Sequence, residues 1–375
     1  MKLRLKLGRI FILLWFVAVA SLLPCAAQSK RVRNHAGLHP VADSSGKYGF
    51  IDRTGRFRIP PRYNGAGQFS EGVAYVWLWE GNKRRDGIVD TDGNFKELPA
   101  TNDYEFIFHD GLARFQTPSG QERKYGYMDK TGRVVIEPQF YNAGHFSEGL
   151  AWVAMLVEGK WLYGFIDRAG KFAVPPQFTE QPGDFVEGLA RVAGRYNYGF
   201  IDRTGKFQIS ENFQQLDEFF SEGLVAASFQ GDPPRGVYLQ RDGRVAFEIP
   251  LWHERTARQR NLHTFGMPLR RGFNEGLAPV VSFNKVGFID KTGRVVIAPL
   301  FRETSGFSEG LAAVKIIGSD GHYVWGYIDR TGKFAVTPQF KDARPFAGGL
   351  AQVSTFEGSQ RLIDRSGKVI WQLSK

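Results

Sequence analysis

Two sets of carboxylates recur along the chain in fixed frames. Asp52, Asp129, Asp167, Asp202, Asp290, Asp329 and Asp364 each open an Asp-Lys/Arg-x-Gly tetrapeptide, and Glu71, Glu148, Glu187, Glu222, Glu275 and Glu309 each precede a Gly. Paired carboxylates can perform acid–base hydrolysis, but only where one cleft holds two of them with separated pKa values. A residue written into every unit serves a need of every unit, so these frames read as turn caps. The Asp frame also lacks the clustered oxygen ligands of a calcium loop. The seven histidines form no metal-spaced pair, and no HExxH is present. Ser147, in "FSEG", lacks the Gly-x-Ser-x-Gly context of a nucleophile elbow. The sequence implies no catalytic residue, no metal and no cofactor.

The elements that carry these frames are short and repeated. Aligned on the Gly of "YGFIDRTGKF", copies fall at Gly49, Gly87, Gly126, Gly164, Gly199, Gly236, Gly287 and Gly326, with Arg361 in the Gly position of a ninth. A second phrase, typified by "FSEGLA", occurs eight times between them. Spacings of 38, 39, 38, 35, 37, 51, 39 and 35 residues mark a repeat architecture. Within a unit, Asp at the first turn position and Gly at the fourth predict a hairpin with a bulged turn. Pro61, Pro138, Pro176, Pro299 and Pro338 end the second strand, and the Leu-Ala-x-Val run supplies a third. With 32 Phe and 44 Gly and no helical period, the fold class is all-β: three-stranded antiparallel meanders of about 38 residues. An open array is expected, with eight-bladed propeller-like closure as the alternative.

The N-terminus is a separate signal. Lys2, Arg4, Lys6 and Arg9 precede an apolar run from Ile10 to Leu23, too short for a membrane span. Cleavage after Ala27 is expected, leaving a linker over 28–45 and the repeat domain over 46–375, in the periplasm or outside the cell. An uncleaved N-terminal anchor, or a lipid on Cys25, is the alternative; Pro24 argues against the lipid. Cleavage removes the one Cys and lowers the formal charge from +11 to +7. That charge permits contact with anionic envelope polymers, and no nucleic-acid module is visible.

The repeated phrases resemble the WG-repeat family over roughly residues 46–373. The resemblance rests on aromatic-Gly-Phe/Tyr-Ile-Asp-Lys/Arg-Thr-Gly, then Pro-x-Phe/Tyr, then Phe-Ser-Glu-Gly-Leu-Ala; Trp325-Gly326 has the literal Trp-Gly. It implies a β-repeat fold and an interaction role, without an assigned reaction.

Two candidate contact surfaces follow. The residue after "GLA" varies, so it is expected to face outward; Tyr75, Arg114, Trp152 and Arg191 would then line one stripe across successive units. Aromatic faces beside guanidinium groups suit sugars or anionic glycans. Trp77 and Trp79 continue the aromatic face of Tyr75 at period two and are expected to pack against a neighbouring unit. The insertion at 251–272 carries Arg255, Arg258, Arg260, Arg270 and Arg271 against a single Glu254 and could meet acidic partners. The expected function is an exported, non-catalytic binding or scaffold protein whose partner is a protein or glycan of the envelope or exterior. A cell-surface carbohydrate-binding protein comes second, and a hydrolase on a propeller-like fold third.

Overall fold

In each unit one strand begins at the Glu-Gly turn, the next returns to the Asp turn, and a third leaves along the edge. A computed structural model describes residues 37–99, 107–117, 122–194, 197–213, 215–229, 235–249, 272–282 and 285–372. The N-terminal signal, the linker up to residue 36 and the basic insertion at 251–271 lie outside the described residues. Nine antiparallel sheets of three or four strands form in sequence order among those described. We call them blades 1 to 9: residues 39–63, 65–97, 112–140, 142–178, 190–213, 215–248, 277–301, 303–340 and 342–372.

Blade 4 shows the plan. A short strand, Asn142–Ala143, pairs with the inner strand Leu150–Val157, which pairs with the middle strand Lys160–Asp167 and then the outer strand Phe172–Phe178. The outer strand carries a register shift around its prolines, which blunts the exposed edge. Gly164 sits under that shift; a β-carbon there would lie 2.6 Å from the Val174 carbonyl oxygen. Blade 9 lacks the Pro segment, its outer strand pairs Arg361 with Gln372, and a side chain replaces the Gly.

Core residues lie between blades. Phe165 of blade 4 packs with Phe185, Val192 and Ile201 from the blade 5 side, while Ile166 packs toward blade 3. The Phe of "FSEG" meets the middle-strand ring of the preceding blade edge to face, as in Phe165–Phe185 at 4.8 Å and Phe200–Phe220 at 5.0 Å. Such pairs add about 0.5–1.5 kcal/mol beyond burial.

The array closes. Val41 and Ile51 of blade 1 share a buried cluster with Leu350 and Leu362 of blade 9. The result is a nine-bladed β-propeller, so closure, the alternative to an open array, is what forms, with nine blades in place of eight. The ninth inner strand is His39–Ala42, within "AGLHPV", a degenerate copy of "EGLAxV". Closure uses no strand exchange: blade 1 is wholly N-terminal and blade 9 wholly C-terminal.

Candidate binding surface

The Asp frame is used locally. Asp52 Oδ1 accepts bonds from the Thr54 amide at 2.8 Å, the Thr54 hydroxyl at 2.6 Å and the Arg56 amide at 3.3 Å. The same pattern holds at Asp129, Asp202, Asp290 and Asp329. The threonine hydroxyl bond leads in holding these carboxyls below the usual Asp range. They are therefore ionised turn caps, and the tetrapeptide is the hairpin that its residues predict.

The Glu frame works between blades. Glu148 Oε1 accepts the Glu187 amide at 2.7 Å and Oε2 the Gly188 amide at 2.8 Å. Glu187 caps Glu222 and Gly223 in turn, and Glu309 caps Gly348 and Gly349. With Glu71, Asp110, Glu222 and Glu275, the carboxylates bridge the interfaces from blade 2/3 to blade 8/9. Each sits at a positive φ near 50°, a region costly for a residue with a side chain. The two-residue Glu-Gly turn requires that conformation. Ser147 Oγ also crosses, donating to the Phe185 carbonyl at 2.6 Å. From the other direction, the basic residues of two Asp turns reach back to the preceding blade. Lys130 Nζ lies 3.1 Å from Glu71 Oε2, and Lys291 Nζ 3.0 Å from Glu222 Oε2. Burial pushes Glu71 and Glu222 up, but the lysines and backbone amides outweigh it and leave both below the usual Glu range.

One face of the disc thus carries a run of structural caps from blade 2 to blade 9, and both carboxylate frames lie in it. Among the described residues no group of His, Cys, Asp and Glu is arranged to hold a metal ion.

The expected outward stripe is corrected by the structure. Tyr75 and Trp152 are each 7% exposed, in separate inter-blade clusters. Tyr75 hydroxyl bonds Asp86, and the Trp152 indole packs edge to face on Tyr163 at 5.9 Å. Arg114 and Arg191 are half-buried; each donates to a carbonyl of the next blade, Ala143 at 2.6 Å and Leu216 at 3.0 Å. Each also lies over a tyrosine ring of its own blade, Tyr125 at 5.0 Å and Tyr198 at 4.2 Å. In all four units the side chain at this position is thus engaged with the neighbouring blade. Arg255, Arg258, Arg260, Arg270 and Arg271 lie outside the described residues.

The opposite face of the disc differs. The inner and middle strands of blades 2 and 4 run eight residues each, against four in blade 5. Three of the four extra residues lie at the hairpin end, so at about 3.3 Å per residue these hairpins extend roughly 10 Å further. Trp79 on blade 2 is 51% exposed and Trp161 on blade 4 is 50% exposed, with Leu156 beside them in exposure. Trp161 packs edge to face on Tyr141 at 4.6 Å, which is itself covered by Lys124 Nζ at 4.2 Å. Arg84 lies over the Trp77 ring at 4.6 Å. Blade 8 presents Ile317 and Tyr323 in the same way. The period-two run Tyr75, Trp77, Trp79 thus passes from core to half-buried to open; the sequence reading, which packed both tryptophans, holds for Trp77 and fails for Trp79. Unit length was the signal for it: long variable loops between "EGLA" and "YGFID" lengthen these hairpins.

The model of the family described as WG containing repeat matches residues 48–76, 125–161, 163–193, 198–231, 287–318 and 325–355, more than half of the chain. No curated protein matches the chain. Among solved structures, a eukaryotic initiation factor is similar at 12% identity and TM-score 0.56, covering 89% of this chain and 94% of that one. BamB from Moraxella catarrhalis is similar at 13% identity and TM-score 0.36, covering 87% and 93%. The likeness to the initiation factor concerns the fold alone.

Proposed function

Since the chain belongs to the WG-containing repeat family and its recurrent carboxylates serve turns and blade contacts, we propose that it is an exported binding protein without catalytic activity. Its partner is a protein or glycan of the envelope or exterior, engaged through the hairpin face. The observation that carries this reading is the pair of half-exposed tryptophans, Trp79 and Trp161, on hairpins whose eight-residue strands are the longest among the described residues. Tryptophan is enriched at binding hot spots, and exposure of this size on projecting elements favours a partner. Export is supported by the basic start at Lys2 to Arg9, the apolar run Ile10–Leu23 and the small residues before Gln28.

The test is site-specific photo-crosslinking in cells. A crosslinker at position 161 should give a discrete adduct, while one at Arg203, on the ring face, should give none. Adducts at 203 alone would move the interface to the ring face, and none at either position would refute the reading. Intact mass of the protein should begin at Gln28; retention of Met1 would refute cleavage.

A further inference from the structure

Blades 9 and 1 meet differently from the other blades. At the blade 4/5 interface, Trp152 and Tyr163 occupy the space between sheets. The same two frames in blade 9 hold Gln352 and Gln360, which are exposed and joined by a 3.2 Å bond from Gln352 Nε2 to Gln360 Oε1. Gln360 Nε2 also donates to Ser354 Oγ at 2.8 Å. The amides are fixed to one another without filling the gap. A cleft of about 230 Å³ remains, with Gln68, Arg344, Gln352, Gln360, Arg361 and Trp371 among its walls.

The wall chemistry is specific. Two guanidinium groups and three carboxamides line the cleft beside one indole, and no carboxylate is among the lining residues. Arg344 Nε lies 3.9 Å from Asp342, an exposed and therefore weak pair that leaves the guanidinium available. Arg361 stands where the other eight middle strands have Gly, so its side chain is peculiar to this blade. His39, also in the wall, is held below the usual His range by burial, so it is neutral at neutral pH. The charged side chains of the wall are the guanidinium groups of Arg344 and Arg361. The volume falls below the roughly 300–1,000 Å³ of sites for drug-sized ligands, which suits a single sugar ring. Carboxamides pair with vicinal hydroxyls, an indole covers the apolar face of a pyranose, and guanidinium takes a carboxylate in a bidentate fork.

We propose that the cleft between blades 9 and 1 binds one carboxylate-bearing sugar residue of an acidic glycan. This site includes neither Trp79 nor Trp161 and does not depend on the reading of those two residues.

The experiment is calorimetric titration of the protein with trigalacturonate, maltotriose and inorganic phosphate. Trigalacturonate should bind, and the other two should bind at least tenfold more weakly. Arg344→Ala and Trp371→Ala should each weaken trigalacturonate at least tenfold, while Trp161→Ala should leave it unchanged. A Gln352→Trp, Gln360→Tyr double variant, which restores the filling of blade 4, should abolish binding without lowering the melting temperature. That variant keeps the test decisive if Trp371→Ala fails to fold. Equal binding of maltotriose or phosphate, unaltered binding in the double variant, or no binding of trigalacturonate would overturn the proposal. Loss of the hairpin interaction in Trp161→Ala with trigalacturonate binding intact would separate the two sites.

Discussion

The interface between blades 4 and 5 and the one between blades 9 and 1 are built from the same frames with different residues. At the first, Glu148 caps two amides, Ser147 bonds a carbonyl, and Phe165 meets Phe185. At the second, the Glu frame holds Gly348 and the middle-strand ring is replaced by Leu362. Among the described residues the interface includes packing of Val41, Ile51, Leu350 and Leu362, with Ile370 and Trp371 against them, a His39 Nε2 contact of 3.5 Å to the Gly348 carbonyl, and Arg53 over Gly349. The lesson is that the repeated phrase encodes contact with the following unit. Where the following unit is the first one, the phrase is relaxed, and the gap acquires its own chemistry.

The largest test of this comparison is Trp152→Ala. Trp152 fills an ordinary interface, so its truncation should cost about 3–5 kcal/mol in thermal or denaturant unfolding. Gln352→Ala, the same frame at the closing interface, should cost under about 0.5 kcal/mol. Equal losses would erase the distinction.

Gly170→Val comes next. Gly170 has φ +81°, and a β-carbon there would lie 3.3 Å from Ile136 of blade 3. Strain and crowding together should cost about 1–3 kcal/mol, read as a lowered denaturation midpoint. Unchanged stability would refute the turn geometry.

Acidification should separate the two interfaces by pH. His39 has its pKa lowered by burial, so its contribution is complete above about pH 6.5, the unfolded value, and falls as the unfolded state protonates below it. Glu71 and Glu222 are lowered carboxylates, with burial opposed by Lys130 and Lys291. Their contribution is present above about pH 4.5 and lost as pH falls through their folded values. Amide protection of residues 39–42 and 351–354 should therefore decline between pH 6.5 and 5, while that of residues 150–157 holds. His39→Gln should remove the early decline; simultaneous loss everywhere would refute the assignment.

The smallest effect is a gain. Gly348 already has φ +64°, close to the values at which the other Glu residues of this frame sit. Gly348→Glu should add a cap toward blade 1 and stabilise by about 0.5–1 kcal/mol, measured as a raised melting temperature. A fall would show that no amide of blade 1 is in reach.

The all-β class, the Asp hairpin and the three-stranded meander were legible because turn chemistry is local: Asp, Thr and Gly act within four residues. The blade count was not, because "AGLHPV" keeps the Gly, Leu and Val of the inner strand and loses the Phe and Glu. The position of Tyr75 and Trp152 was misread for a different reason. Variation was read as exposure, yet the frame is buried with small as well as large residues, as at Ala226 and Ala313. Exposure on the hairpin face depends on strand length beyond the disc, which alternation alone does not encode.

Closure without strand exchange has a consequence for the order of the chain. Every sheet is complete within one continuous segment, so covalent links between blades are connectors that no sheet requires. A circularly permuted chain, with residue 372 joined by a short linker to residue 39 and new ends cut between two other blades, should regain the same nine sheets. The opening created there would be flanked by Glu and Phe frames made for contact, and it would close more firmly than the natural one. The weak point of the ring is therefore a property of the residues in blades 9 and 1, and it would stay between them wherever translation began.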